Sequence, residues 1–389
     1  MERINEMIYS AYLAYGNWGV ALAAILLVLF IVQLVFHLGI YGKVASFRLT
    51  SRKQIRQSEP PISVVVAMFG EDSDYLDNGL MQLLGQNYNE FEIVVVYVGD
   101  NDDFFAELKY LTRISSRLTP IFLRNNPSYP IKKKMAINVG IKSAKYDHII
   151  MSTTDATPVS EKWLSLLAKG FLYGDIVLGY SGISQKAGFD NYIFREYRIS
   201  NSVAWLSAAI RRKTYSASHG AFGFAKELYL GVRGFNHLNM EVGEDDLFVQ
   251  QIATRDNVSV VLAPSATCRE RTWGHWSWWS NEVSRQRLTH RYYPRMALAP
   301  IFIEQLSRIL LFAFAIVAFA TMPWKFSLAV AGVLFLRYFA VMFSSIRIWR
   351  RLGESSLVAL HPLYDIAEPF IRLYIILYSK RISKKAWRV

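Results

Sequence analysis

Short apolar runs alternate with amphipathic ones through the first third of the chain. "PPISVVVAMF" (Pro60–Phe69) is β-branched and follows prolines, the pattern of a buried strand. "SDYLDNGLMQLLGQNY" then spaces Leu76, Leu80, Leu83 and Leu84 at helical intervals. "EFEIVVVYV" (Glu90–Val98) reads as a second strand and "FFAELKYLTRISSRL" as a helix. "TPIFLRN", "KKKMAINVGIKSA" and "YDHIIMST" predict strand, helix and strand again. Strands alternating with helices predict an α/β fold around a mostly parallel sheet. Such sheets bind ligands beyond the carboxyl ends of their strands. That singles out Gly70–Asp72, Asp100–Asp103 and Thr153–Asp155. The last group opens "STTDATPVSEKW". Asp155 and its threonines suit a capped turn, and Pro158 suits the first turn of a helix over "VSEKWLSLLAKGF".

Longer apolar stretches flank this region. "WGVALAAILLVLFIVQLVFHLGIYG" (Trp18–Gly42) is long enough to cross a bilayer. Its length, the acidic Glu2 and Glu6 before it and the lack of a small-residue cleavage site predict a retained anchor. Lys43, Arg48, Arg52, Lys53 and Arg56 follow it, which predicts a cytoplasmic face there and residues 1–17 outside. Ile301–Met322 and Phe326–Ile346, separated by "PWK", predict a transmembrane hairpin (residues 301–346) ending in the basic "RIWRR". Residues 347–389 contain "LVALHPLYDIAEPFIRLYIILYS" and the basic tail "KRISKKAWRV". An amphipathic or re-entrant helix pair keeps that tail cytoplasmic and the span count at three; a fourth span is the alternative. Glu304 and Arg308 are spaced to pair on one helix face; Arg337 lies in the other span. These charges either anchor the hairpin to the rest of the protein or line a substrate path.

The net charge of +13 fits nucleic acid or an anionic membrane face. The basic residues gather beside the apolar segments, so no nucleic-acid partner is expected. Cys268 is the single cysteine, which excludes an intrachain disulfide and a cysteine-based metal site. Between the membrane segments, residues 59–295 are long enough for one large domain, joined to the anchor by a basic linker (residues 43–58). No glycine-rich phosphate loop follows its strands. They end in carboxylates, which suit a hard divalent cation and a diphosphate.

In order and spacing these features resemble membrane-bound, inverting family 2 glycosyltransferases of the GT-A fold. The ceramide glucosyltransferase-like branch is most similar, with cellulose and hyaluronan synthases more distant. The resemblance covers roughly Pro60–Pro294, together with one span before and a hairpin after. It implies a Rossmann-like GT-A domain on the cytoplasmic side of a bacterial inner or plasma membrane. "PPISVVVAMFGED" is similar to the first strand and donor loop, placing Glu71 at the donor. "EIVVVYVGDNDD" is similar to the second strand and its donor-side Asp, here Asp100; Tyr97 and Val98 occupy the places where the common pattern has two aspartates. "YPIKKKMAINVGI" resembles the lysine-bearing segment, so Lys133 and Lys134 would face donor phosphates. "TTDATPVSEKWL" resembles the Asp-x-Asp segment, with Thr153 in the first place and Asp155 in the second. Asp155 would then bind Mg²⁺ or Mn²⁺ bridging the donor diphosphate.

"SASHGAFGFAKELYLGVRGFN" resembles the acceptor-shaping segment and places His219 and Gly220 at the acceptor. "GEDDLFVQQIA" resembles the base motif, which assigns catalysis to Asp245, with Glu244 and Asp246 beside the acceptor. Like charges around Asp245 predict a raised pKa and greater basicity. "SRQRLTHRYYP" resembles Gln-x-x-Arg-Trp: Gln286 fits, Thr289 and His290 hold the Arg and Trp places, and Arg287 or Arg291 stands near. Trp276, Trp278 and Trp279 fit either an acceptor helix or an interfacial belt. The resemblance implies transfer from a nucleotide sugar, UDP-linked, to a lipid or glycan acceptor among membrane lipids. A processive polysaccharide synthase and a non-catalytic membrane scaffold of the same fold are the alternatives.

Overall fold

The structure is a computed structural model. It describes residues 2–49, 58–126, 128, 130–235 and 242–386, with side chains described within 15–380 of these. Arg52, Lys53, Arg56 and the end of the basic tail lie outside the described residues and side chains. The strands are β1 (Ile62–Phe69), β2 (Phe91–Gly99), β3 (Leu118–Arg124), β4 (His148–Thr153), β5 (Ala156–Pro158), β6 (Ile176–Leu178), β7 (Ser181–Ile183), β8 (Phe222–Ala225), β9 (Val258–Val260) and β10 (Cys268–Glu270). Seven form one sheet in the order β3-β2-β1-β4-β8-β6-β9, and three form a second in the order β5-β10-β7. In the large sheet β1 pairs in parallel with both β2 and β4, β2 with β3, and β6 with β9; β8 runs antiparallel to β4 and β6.

This mixed α/β sheet is covered on both faces, which explains the unbroken apolar runs. Val64 and Val66 of β1 pack with Leu76, Leu80 and Trp163. Val65 packs on the other face with Ala136, Ile137 and Ile199. Helix Lys133–Ser143 approaches that face at Gly140, where a Cβ would stand 2.5 Å from Val65 Cγ1.

Two expected helices differ. After β1, Tyr75–Leu80 winds as a π-helix before the short α-helix Met81–Leu84. After β4, "ATP" forms β5 against β10, so Pro158 ends a strand and helix Trp163–Gly170 starts later. Pairing with a strand more than a hundred residues away overrides the local turn signal.

Three helices are long and apolar enough to cross a membrane: Tyr15–Ser46, Arg295–Thr321 and Trp324–Arg351. Glu304, Arg308 and Arg337 within them are buried against protein. Arg308 Nη1 lies 2.9 Å from Asp365 Oδ1 and 2.8 Å from Glu368 Oε2, and Arg308 Nη2 lies 3.4 Å from Glu304. Arg337 reaches Asp365 at 2.5 Å and donates to Gln33 Oε1 at 2.9 Å. The expected Glu304–Arg308 pair is therefore one edge of a buried network joining all three apolar helices to helix His361–Ala386. That segment is one helix with Pro369 inside it, where a helix pair was expected. It is amphipathic: Leu363, Ile366, Phe370, Leu373 and Leu377 are exposed, while Asp365 and Glu368 are buried. Arg372 continues the network to Asn201 of helix Phe189–Ile210, at 2.9 Å.

Candidate active site

The end of β4 carries Asp155. The Thr153 hydroxyl donates to its Oδ1. Its backbone oxygen accepts from Arg271 N at 2.7 Å. The β5–β10 register sets Glu270 opposite Ala156, directly beside Asp155. Arg198, on helix Phe189–Ile210, forks onto Glu270 at 3.1 and 2.6 Å. Arg271 holds Asp72 and Asp74 of the loop after β1. A third segment arrives from before β8. At Gly220 a Cβ would stand 2.8 Å from Ala156 Cβ and 2.9 Å from Ser181 Oγ. Only glycine lets this loop lie on the second sheet, and that contact brings the adjacent His219 to the site.

His219 Nδ1 is 2.5 Å from Asp245 Oδ2. Asp245 caps helix Asp246–Ile252, and its Oδ1 accepts from Asp246 N at 2.7 Å. Lys133 Nζ lies 2.6 Å from Glu244 Oε1. Lys134 turns away from this pair and donates to Val242 O at 2.8 Å. Lys133 sits in the field of Asp245 and Asp155 as well as Glu244, and Glu270 in that of Asp155 and His219. These groups therefore form one electrostatic cluster at the carboxyl end of β4.

The charges settle differently from the expectation that crowding makes Asp245 more basic. Burial raises its carboxyl, but His219, the Asp246 N–H and Lys133 outweigh burial and hold it below the ordinary value. The raised member is Asp246, pushed up to about 6 by burial and by Asp245. Asp246 is saturated by contacts: Thr289 Oγ1 donates at 2.5 Å and Tyr293 OH at 2.6 Å, both to Oδ2. Burial lowers the His219 imidazole, yet Asp245 reverses this and the ring reaches about 9. At neutral pH the pair is imidazolium and carboxylate.

Beside this cluster a cavity of about 970 Å³ opens at the ends of β1, β2 and β3. Glu71 and Asp100 line it with Gly70, Tyr97, Asn101 and Ile131. Asn101 joins its two walls: its side chain caps helix Asp102–Tyr110 and donates to Glu71 Oε1 at 2.9 Å. Tyr97 stacks on Phe122, ring centroids 5.4 Å apart.

The model of glycosyl transferase family 21 matches residues 21–381. The chain belongs to that family. It is a glycosyltransferase, and the motif resemblance resolves to family 21 and a GT-A-type fold. No curated protein sequence matches it significantly. Among solved structures it is similar to a mannosyltransferase from Pyrobaculum calidifontis in complex with GDP-Man and Mn²⁺. That likeness has a TM-score of 0.53 at 17% identity and covers 88% of this chain and 99% of the other. At that identity it speaks for the fold.

The glycosyltransferase brings half of the site residues singled out by sequence to two adjoining places. Asp155, Lys133, His219, Glu244 and Asp245 meet at the cluster, and Glu71 and Asp100 at the cavity. Gly220 acts through packing. Gln286 stays on its own helix, donating to Glu282 Oε1 at 3.2 Å. Arg291 turns to the exposed Tyr292, donating to its hydroxyl at 2.6 Å. His290 stacks on Tyr293, centroids 4.9 Å apart. Trp279 is buried, stacked 4.8 Å from Phe194, and Trp276 and Trp278 pack half-buried against the same cluster. Sequence reading missed Arg198, Glu270 and Arg271. Glu270 and Arg271 come to Asp155 through the β5–β10 pairing, and the only signal for Arg198 was a charge within an otherwise buried helix face.

Proposed function

We propose that this glycosyltransferase moves a sugar from a nucleoside-diphosphate sugar, UDP-linked, to a lipid or glycan acceptor at a membrane, with inversion. The observation that carries the reading is the cluster of Asp155, Lys133–Glu244 and His219–Asp245 beside the cavity bounded by Glu71 and Asp100. The cavity has room for a nucleoside, and Asn101 lines it with an amide. Lys133 supplies positive charge near the diphosphate, and Lys134 holds the loop before Gly243.

The residues fit a divalent cation shared with the donor. Among the described residues no group of three potential ligands could cage one. The Asp155 carboxylate is nevertheless engaged, among the described residues, by the Thr153 hydroxyl and by no ion pair. Mg²⁺ is commonly held by one or two carboxylates plus substrate phosphates and water. Bound there, Mg²⁺ or Mn²⁺ would supply Lewis-acid stabilisation of the leaving diphosphate.

Asp245 is the group placed to take the acceptor proton. An acceptor hydroxyl attacks the anomeric carbon, its proton passes to Asp245, and the bond to the diphosphate breaks with its electron pair leaving on the diphosphate. His219 aims Asp245 Oδ2, and the Asp246 N–H fixes Oδ1. In this reading residues 59–295 face the cytoplasm, with an anchor before and a hairpin after them. The basic residues following the first and third apolar helices support that orientation.

The test separates transfer from binding. Asp245→Asn keeps the shape and cannot accept the proton, so transfer falls by on the order of 10²–10⁴. Donor affinity, measured by calorimetric titration with Mn²⁺, stays near the wild-type value. Wild-type transfer in Asp245→Asn would remove the base from this aspartate; loss in Glu244→Gln alone would move it one residue.

A further inference from the structure

Beyond the cluster lies the segment that ties Asp246 down. Tyr293 bonds Asp246, His290 stacks on Tyr293, and Arg287 lies one helical turn earlier, at the end of helix Trp276–Arg287. That helix packs along helix His361–Ala386, where Ser280 Oγ and Tyr374 OH are 3.2 Å apart. Arg372 on the second helix lies over the Tyr197 ring at 5.4 Å and is matched by Glu368 at 2.6 Å. Arg287 is not matched. It is partly buried, yet among the described residues it has no hydrogen-bond or ion-pair partner. Its charged neighbour is another cation, Arg372. The neighbouring carboxylates are already engaged: Glu368 by Arg308 and Arg372, Glu282 by Arg285 and Gln286.

A partly buried guanidinium without a counter-ion, on a helix packed against one that carries a second guanidinium, is costly in isolation and favourable once an anion arrives. Burial, Arg287 and Arg372 together lower His290 to about 4, so the ring at this spot stays neutral and adds no further charge. Arg287 belongs to neither the Asp155 nor the Lys133–Glu244 grouping; its electrostatic neighbours are Tyr197 and Arg372. The spot also adjoins the apolar helix Arg295–Thr321, which begins just after Tyr293 and Pro294.

We propose that Arg287, with Arg372 behind it, binds a phosphate on a membrane-borne acceptor while a hydroxyl elsewhere on that acceptor reaches Asp245. This rests on the glycosyltransferase reading above and narrows its acceptor to a phosphate-bearing lipid. A phosphate matches the planar guanidinium fork. Its lipid chain would leave along the exposed apolar face of helix His361–Ala386.

The test uses the full chain in neutral phosphatidylcholine nanodiscs, titrated with dodecyl phosphate or with dodecanol and followed by tryptophan fluorescence. Dodecyl phosphate is expected to bind and dodecanol to bind far more weakly. Arg287→Gln should weaken dodecyl phosphate about 10- to 100-fold, the usual worth of a charged hydrogen-bond contact. Arg285→Gln, on the same helix, should leave it unchanged. Mn²⁺-dependent donor binding should survive Arg287→Gln. Equal binding of dodecyl phosphate and dodecanol by the wild type would overturn the proposal without any variant. So would loss of donor rather than dodecyl phosphate binding in Arg287→Gln, which would give Arg287 to the donor diphosphate. Displacement of dodecyl phosphate by phosphatidylglycerol in the disc would overturn it too, because any bilayer phosphate would then serve. Failure of the glycosyltransferase reading looks different: the wild type would bind dodecyl phosphate and no nucleotide sugar.

Discussion

Replacing His219 by glutamine asks whether its contact with Asp245 is an ion pair. The imidazole keeps 25% of its side-chain surface, so solvent screens it only in part. Its pKa rises from 6.5 to about 9: burial acts downward and Asp245 more than compensates. A shift of that size is worth about 3 kcal/mol in favour of the protonated folded state. The unfolded chain loses this proton near pH 6.5 and the folded protein near pH 9. The stabilisation is therefore complete below pH 6.5, declines as pH rises and is gone above about 9. His361, raised against its burial by Glu196, adds a second decline in the same direction. The difference between wild type and His219→Gln cancels that contribution. Asp246 and His290, at about 6 and about 4, change below the window. Thermal unfolding of the full chain in detergent, followed by tryptophan fluorescence at fixed ionic strength, gives the comparison. The wild type should unfold at a clearly higher temperature near pH 6, and the gap should close as pH passes 9. A gap independent of pH would mean a neutral hydrogen bond, and one that widens with pH would refute the assigned charges outright.

Asp155→Ala should abolish Mn²⁺-dependent donor binding in calorimetric titration, while Thr153→Asp should tighten Mn²⁺; unchanged donor affinity in the first variant would take the metal away from Asp155. Gly220→Ala places a Cβ 2.8 Å from Ala156 Cβ, so it should cost about 1–3 kcal/mol and displace His219. Transfer should fall while the cavity beyond β1–β3 still binds nucleotide; full activity with an unchanged unfolding temperature would show that the loop tolerates the side chain.

What sequence could show here followed the range over which each signal acts. The parallel core was visible because β1, β2 and β4 are buried on both faces and read as continuous apolar runs. The strand-end aspartates were visible because an open parallel sheet gathers ligands at one edge. β5 was not, because its partner β10 lies far along the chain and Thr157–Pro158 reads locally as a turn. The inverted acidities at the helix start had the same origin. Counting neighbours in "GEDD" placed only carboxylates beside Asp245, whereas folding brings His219 to one and Thr289 and Tyr293 to the other. Thr289 looked like a lost arginine; in three dimensions it is the hydroxyl that steadies Asp246. Of the partners of Arg308 and Arg337 only Glu304 was visible; Asp365 and Glu368 were hidden because they belong to the opposite face of a helix read chiefly for its apolar residues.

Those last partners bear on how the protein is made. Synthesis runs from the N-terminus, so if the apolar helices span a membrane, Arg308 and Arg337 would enter it before Asp365 and Glu368 exist. Until then each arginine is a charge in a low-dielectric place with its main counter-ions missing, a condition worth several kcal/mol per ion. The bundle is thus left incomplete until the final helix arrives to close it. A chain that ended before residue 365 would leave Arg337 without its carboxylate and Arg308 with Glu304 alone. The same four side chains that hold the finished enzyme together thereby distinguish a complete chain from an unfinished one.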